Sequence, residues 1–131
     1  MSGEKNLKTL LKKMSPVLNR EEYVFITLPG NYGDYIHLKP LCSFKEEEGL
    51  TLIVTRALAE AYALENKNVF KAITLKIHSS LNAVGLTAAV STKLSEEGIS
   101  ANVVAAYYHD HIFVQAQDAE RALNSLKELS L

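Results

Sequence analysis

The spacing of apolar residues in the first half of the chain predicts two helices and two strands. Leucines recur at helical spacing from Leu7 to Met14 with lysines between them, which predicts an amphipathic helix ended by Ser15-Pro16. Runs of β-branched and aromatic residues predict strands, and an alanine-rich run predicts a second helix. In chain order these are a strand at 22–28, a turn at 29–34, an unassigned stretch at 35–49, a strand at 50–54 and a helix at 56–65.

The pattern then restarts and runs to the end of the chain. Alternation predicts a strand at 70–77, and apolar residues at helical spacing predict a helix that Gly98 ends at its C′ position. Two further strands are predicted at 99–108, apolar on both faces, and at 111–116. Asp118 is the predicted N-cap of a last helix. The two helical stripes are Leu86, Val90 and Leu94, and then Ala119, Ala122, Leu123, Leu126 and Leu129.

The two halves share an order of elements. Residues 67–131 are predicted to fold as β-α-β-β-α, and residues 1–66 as α-β-β-α. This predicts an α+β protein built from two copies of one small unit, with the first copy incomplete and antiparallel sheets carrying helices on one face.

Composition narrows the class of protein. The 131 residues carry a formal net charge of −1 and one cysteine, Cys42. A nucleic-acid-binding surface would require a strongly basic balance, and a membrane span would require about 20 consecutive apolar residues. We therefore expect a globular chain that contacts neither nucleic acid nor membrane, has no disulfide within the chain and lies in the cytoplasm.

Three segments carry a resemblance to a known family. The sequence from Thr74 to Val114 resembles the ACT domain, and Leu94, Ile99, Ser100 and Ala101 stand where that family has its L, I, N and I positions. The segments "EGLTLI" (48–53), "HSSL-x-AVG" (78–85) and "YYHDHIFV" (107–114) make the whole chain similar to a small bacterial family of uncharacterised ACT-like proteins. It is also similar to the tandem regulatory ACT regions of aspartate kinases. The resemblance implies a ferredoxin-like fold in two tandem βαββαβ-type halves.

The loop between the predicted strand and helix is the first candidate site. A helix N-terminus offers unpaired N–H groups and partial positive charge, which suit a carboxylate. The resemblance implies that this loop binds an amino acid. The candidate residues are Ser79, Ser80, Leu81, Asn82, Ala83, Val84, Gly85 and Leu86. The alternative is that Ser80 or Asn82 only caps the helix.

The segment His109-Asp110-His111 is the second candidate site. Asp and His tolerate left-handed dihedrals, so His109-Asp110 is predicted to form a tight hairpin that walls a pocket. Two histidines two residues apart share one face of a strand, but zinc enzymes use three protein ligands, so a metal site needs a further residue such as His37 or His78. Metal binding by His109 and His111 is the minor alternative.

Neighbouring polar and aromatic residues complete the candidate site. Tyr107 and Tyr108 should lie on opposite faces of a strand, with one packed inward. Asn102 is expected to be a buried amide that binds loop backbone or a ligand. A ligand ammonium would meet Asp110 or Asn102, and its side chain would meet Val84, Leu86 and Tyr108.

These features favour a non-catalytic regulatory module that binds an amino acid or related carboxylate. No hydrolase elbow, P-loop or dinucleotide fingerprint occurs in the sequence, and no cofactor is expected. We expect a homodimer that acts on a separate protein partner. The alternative is a structural protein that oligomerises through its sheet without a ligand. A metal-dependent enzyme is the third hypothesis.

Overall fold

The computed structural model describes residues 6–77 and 85–131. These residues form two compact units. We call residues 20–70 the continuous unit, and residues 6–19, 71–77 and 85–131 together the discontinuous unit. The N-terminal helix therefore folds with the second half of the chain.

The described elements alternate between short helices and strands. Leu7–Lys12 is α1, Arg56–Ala61 is α2, Leu86–Glu96 is α3 and Ala119–Leu129 is α4. The strands are β1 (Pro16–Leu28), β2 (Cys42–Lys45), β3 (Leu50–Thr55), β4 (Phe70–Leu75), β5 (Asn102–Ala105) and β6 (Asp110–Gln115). Two 3-10 helices lie at Tyr32–Leu38 and Ala116–Asp118.

The continuous unit is built on three antiparallel strands in the order β2-β3-β1. Alternate residues of β3 point into its core, and α2 packs against the same strand. The 3-10 helix adds Leu38 to this core. Its buried apolar side chains are Val24, Ile26, Leu38, Leu50, Leu52, Val54 and Ala59.

The discontinuous unit places three helices over strands ordered β4-β6-β5. Ile73 and Leu75 of β4 and the predicted stripes of α3 and α4 meet in one core, which confirms both stripes. Leu10 and Met14, in and just after α1, are fully buried in that same core. Ala72 and Thr74 are buried on the other face of β4. That strand is therefore covered on both faces.

The predicted α+β class is confirmed, since both units combine antiparallel strands with helices. Gly98 follows the end of α3 with φ +72°, as expected for a C′ glycine. None of the helices in the described part of the chain is long and apolar enough to span a membrane.

Several element predictions were wrong. β1 begins at Pro16, six residues before the predicted start at Glu22, because a polar stretch continues the strand. The predicted strand at 99–108 is only Asn102–Ala105, and it is an edge strand without a buried residue instead of one buried on both sides. Asp118 is at the N-cap of α4 as predicted, but its carboxylate pairs with Arg121 at 3.2 Å and makes no capping hydrogen bond.

Candidate functional site

Most of the predicted binding loop lies outside the described residues. This applies to His78 and to Ser79, Ser80, Leu81, Asn82, Ala83 and Val84. The structure describes both ends of the loop, at Ile77 and Gly85, and the helix that follows.

Gly85 begins α3 in a conformation that favours glycine. It is the N-cap residue with φ +101°, and it supplies no side-chain cap. A Cβ added there would lie 3.2 Å from Leu7 Cδ2, so α1 packs closely against the start of α3. The first hydrogen bond of the helix runs from Ala89 N–H to Gly85 O, which leaves the preceding N–H groups without an intrahelical partner. Leu86 is a core residue.

The β5–β6 hairpin turns at the tyrosines and not at the predicted His109-Asp110. Ala105 pairs with Asp110, and Ala106 N–H donates to His109 O at 3.0 Å, so Tyr107 and Tyr108 form the tip. Asp110 is already a strand residue. Only Ser15, Lys39 and Ala63 among the described non-glycine residues have positive φ, so the left-handed turn is not formed.

Both tyrosines are exposed, which contradicts the prediction that one packs inward. Tyr107 is 66% and Tyr108 62% exposed, and their rings meet edge to face at 5.0 Å. The alternation rule fails because the two residues belong to the turn and not to a strand.

His111 belongs to a polar chain across three strands. Asn19 Nδ2 donates to Thr74 Oγ1 at 3.2 Å, and Thr74 Oγ1 lies 2.9 Å from His111 Nδ1. Because Thr74 already accepts from Asn19, its own hydroxyl proton is available to His111, and Nδ1 then accepts. Burial, and next the charge of His109, lower the pKa of His111, which favours this neutral form.

His109 donates from its Nδ1, whereas His111 accepts at the same ring position. Its Nδ1 lies 3.2 Å from the carbonyl oxygen of Ile77, and a carbonyl can only accept, so Nδ1–H donates. This bond ties the hairpin to Ile77, the second residue after β4 and the last before the loop. His37 instead packs its ring edge-on against Tyr62 at 4.9 Å. Within residues 6–77 and 85–131, no three His, Cys, Asp or Glu side chains form a group that could hold a metal.

Asp110 faces the helices. It alternates with His111 and shares its face with Ile112, a residue of the helix-covered core. Within the part of the chain that the structure describes, its carboxylate has no hydrogen-bond partner. Burial raises the pKa of Asp110, while the neighbouring His111 and His109 lower it. A half-buried carboxylate therefore stands at the end of β6 that lies beside the end of β4.

Asn102 is exposed, which corrects the predicted burial of its amide. Its Nδ2 donates to the carbonyl oxygen of Phe113, its partner in the β5–β6 register, at 3.3 Å. This bond uses strand backbone and leaves Oδ1 as an acceptor. Asn102 is exposed because β5 is an edge strand. Its apolar neighbours in the sequence do not reveal that position.

Two models of the ACT domain match the chain, one at residues 2–71 and the other at 70–128. A solved structure of a Vibrio cholerae protein of unknown function, described as a possible transport protein, is 51% identical with a TM-score of 0.89, covering 97% of this chain and 98% of that one. No curated protein matched.

Two more distant structures share the fold alone. The ligand-free regulatory subunit of aspartate kinase from Thermus thermophilus is 10% identical with a TM-score of 0.60, covering 87% of this chain and 95% of that one. Aspartokinase III from E. coli, in complex with aspartate and ADP, is 14% identical with a TM-score of 0.63, covering 87% of this chain and 32% of that one.

Proposed function

The chain belongs to the ACT domain family, and from that premise we propose that it is a non-catalytic regulatory module that binds an amino acid or a related small carboxylate. ACT domains are typically regulatory modules that bind small molecules. The observation that carries the proposal is that two consecutive family matches, at 2–71 and 70–128, span nearly the whole chain.

The start of α3 is the proposed carboxylate site. Its first N–H groups have no partner within the helix and carry partial positive charge, and Gly85 at the N-cap has no side chain to bond them. Ser79 and Ser80 would add hydroxyl donors, and Leu81, Asn82, Ala83, Val84 and Leu86 complete the predicted contacts. The core position of Leu86 leaves its backbone N–H, rather than its side chain, as the group best suited to a ligand.

Asp110 is the proposed partner of the ligand ammonium. It lies on the helix-covered face, at the end of β6 beside β4, and its charge is partly desolvated. A cation would offset that desolvation. Asn102 Oδ1 is the alternative acceptor, and Tyr108 is proposed to contact the ligand side chain. The module would act in the cytoplasm as a homodimer on a separate protein.

A thermal-shift screen with the twenty amino acids tests this proposal. A ligand at about 100 times its dissociation constant adds about 2.7 kcal/mol to the free energy of unfolding, which is several degrees of melting temperature. We expect one amino acid to give this shift, and the double variant Ser79→Ala/Ser80→Ala and the single variant Asp110→Asn to lose it.

Ser43→Ala is the matched control, because Ser43 is an exposed serine on β2 of the continuous unit. Its shift should equal that of the unchanged chain. If no amino acid raises the melting temperature, or if Asp110→Asn responds as Ser43→Ala does, the proposed ligand or its proposed site is wrong.

A structural role without a ligand is the second candidate function. It is favoured by exposed aromatic side chains on edge elements of the sheet, namely Phe44 on β2 and Tyr107 and Tyr108 at the β5–β6 tip. Aromatic residues are enriched in protein–protein interfaces. This candidate predicts a stable oligomer whose melting temperature no amino acid changes.

A further inference from the structure

Two histidine hydrogen bonds hold the β5–β6 hairpin beside β4 and the residues that follow it. His111 Nδ1 lies 2.9 Å from Thr74 Oγ1, and His109 Nδ1 lies 3.2 Å from the carbonyl oxygen of Ile77. Two residues back along the hairpin thus correspond to three residues forward from Thr74. Residues 109–111, which we call the latch, therefore lie alongside the end of β4 and the last residue before the predicted binding loop.

The two bonds of the latch respond differently to a proton. His109 donates through Nδ1–H, and both ring nitrogens of an imidazolium carry hydrogen, so this bond is compatible with a charged ring. His111 accepts at Nδ1, and protonation of that nitrogen removes the acceptor. The hydroxyl of Thr74 is buried and already accepts from Asn19, so it would lose the acceptor of its own proton. Such a loss is costly for a buried donor.

The surroundings of His111 also oppose its protonation. Burial is the largest cause of its lowered pKa, followed by the charge of His109. Asp110 raises the pKa of His111, whereas Lys76, just after β4, lowers it, and β1 contributes the neutral amide of Asn19. Burial raises the pKa of Asp110 itself, so acid also weakens this compensating negative charge. A protonated His111 is therefore better accommodated in water than against β4.

From this geometry we propose that the latch holds the entrance of the binding loop and is released when His111 takes up a proton. With His111 neutral, both bonds keep residues 109–111 beside β4 and fix Ile77. When His111 leaves β4, the bond from His109 to Ile77 is lost as well, because the two histidines belong to one short segment. As regulation of a binding site this inference rests on the proposed function, whereas the latch itself does not.

Hydrogen exchange followed by NMR at pH 7.5 and pH 5.5 tests the latch without a ligand. Opening takes up one proton below the ordinary histidine pKa of about 6.5, so the open population rises by up to about tenfold per pH unit. After correction for intrinsic exchange rates, amides of residues 102–113 should therefore exchange severalfold faster at pH 5.5. Amides of β3, in the separate core of the continuous unit, should not change. Equal acceleration in β3, or none at residues 102–113, would overturn the proposal.

Two variants separate the roles of the histidines. His111→Asn keeps a neutral side chain that can accept a hydrogen bond, so exchange in its hairpin should lose the acid dependence. His109→Ala removes only the bond to Ile77, so the end of β4 should exchange faster at both pH values. His37→Asn is the matched control, because His37 lies on the 3-10 helix of the continuous unit, and it should behave as the unchanged chain does. Circular dichroism checks that each variant is folded. An acid effect that persists in His111→Asn would overturn the proposal.

Amino-acid binding at the same two pH values tests the regulatory role separately. An amino acid that raises the melting temperature at pH 7.5 should bind more weakly at pH 5.5 to the unchanged chain, and with a smaller difference to His111→Asn. Equal pH dependence in the two chains would overturn the regulatory role. Acid-dependent hairpin exchange without binding of any of the twenty amino acids would support the latch and contradict the proposed function. Binding with pH-independent exchange would overturn the latch and leave the proposed function standing.

Discussion

The two histidines of the hairpin differ in what their rings do, although they stand two residues apart. His109 Nδ1 donates to a backbone carbonyl, and His111 Nδ1 accepts from Thr74. The difference follows from their neighbours, because a carbonyl cannot donate, whereas the Thr74 hydroxyl accepts a hydrogen bond from Asn19 and keeps its own proton to donate. His111 thus fixes the hairpin to β4, and His109 fixes it to Ile77, two residues beyond the end of that strand.

His111 should make the stability of the chain depend on pH. Its pKa in the folded state is lowered by burial, then by the charges of His109 and Lys76, with Asp110 acting in the opposite direction. The folded state therefore binds fewer protons than the unfolded state. The stabilisation is fully present above the unfolded pKa of about 6.5 and is lost as pH falls through the folded pKa.

Chemical denaturation of His111→Ala and His111→Asn at several pH values measures this effect. Alanine should cost about 1–2 kcal/mol at pH 7, since it leaves the buried Thr74 hydroxyl without its acceptor. Asparagine should recover part of that loss and flatten the pH dependence between pH 7 and 5. His37→Asn is the control, and an unchanged pH dependence in His111→Asn would contradict the assignment.

The hydrogen-bond partners of the candidate-site residues were the feature that the sequence predicted least well. The sequence singled out Asp110, His109 and His111, but the partner residues Asn19 and Thr74 lie 55 residues apart in the chain. No local pattern joins them. Sequence reasoning places the turn at His109-Asp110, because His and Asp tolerate left-handed dihedrals. The observed turn at Tyr107 and Tyr108 needs no such residue, since none of its residues has positive φ.

At the scale of elements, apolar periodicity predicted the longer helices well. The stripes of α3 and α4 were confirmed because each helix packs one face on the core. The edge strands were predicted poorly, since β2 lies in the unassigned stretch 35–49 and β5 is much shorter than the predicted strand 99–108. Both strands are four residues long, and neither carries a buried side chain to set a period. The 3-10 helix Tyr32–Leu38 begins in the predicted turn 29–34 and ends in the unassigned stretch 35–49.

The two glycines that flank α3 are needed for different physical reasons. Gly85 has φ +101° and a Leu7 methyl 3.2 Å from an added Cβ, whereas Gly98 has φ +72° with open space around it. Gly98→Ala should therefore cost about 1 kcal/mol, from backbone strain alone, and Gly85→Ala about 2–3 kcal/mol. Urea denaturation measures both.

Gly33→Ala is the control for the glycine series, because Gly33 lacks positive φ and nothing lies within 4 Å of an added Cβ. Adding Leu7→Ala to Gly85→Ala removes the close contact, so the two losses should not be additive. Equal costs for the changes at Gly85 and Gly98 would show that α1 does not press on the start of α3.

At the scale of the whole molecule, the chain builds two cores that do not follow the order of the sequence. Leu10 of α1 and Met14 just after it join the core of residues 71–131, and residues 20–70 have a separate core. Repetition of elements predicted two halves, but it could not show which half an isolated helix joins. The boundary between residues 66 and 67 stays a prediction.

A fragment of residues 67–131 tests how far the second half depends on the first helix. Deleting one buried leucine costs about 2–5 kcal/mol, so losing Leu10 and Met14 together should leave the fragment largely unfolded. A synthetic peptide of residues 1–19 should restore helical circular dichroism in proportion to its concentration, and the peptide with Leu10→Asp should not. Cooperative folding of the fragment alone would favour the 66/67 boundary.

The discontinuous unit also cannot be completed until the second half of the chain has been synthesised. Ribosomes add about 5–20 residues per second, so α1 leaves the exit tunnel several seconds before the strand and helices that bury it. Throughout that interval the apolar side chains of residues 7–14 have no core to pack against. We expect such an exposed apolar segment to bind ribosome-associated chaperones. The yield of native protein in cells should then respond to translation speed across the second half of the message.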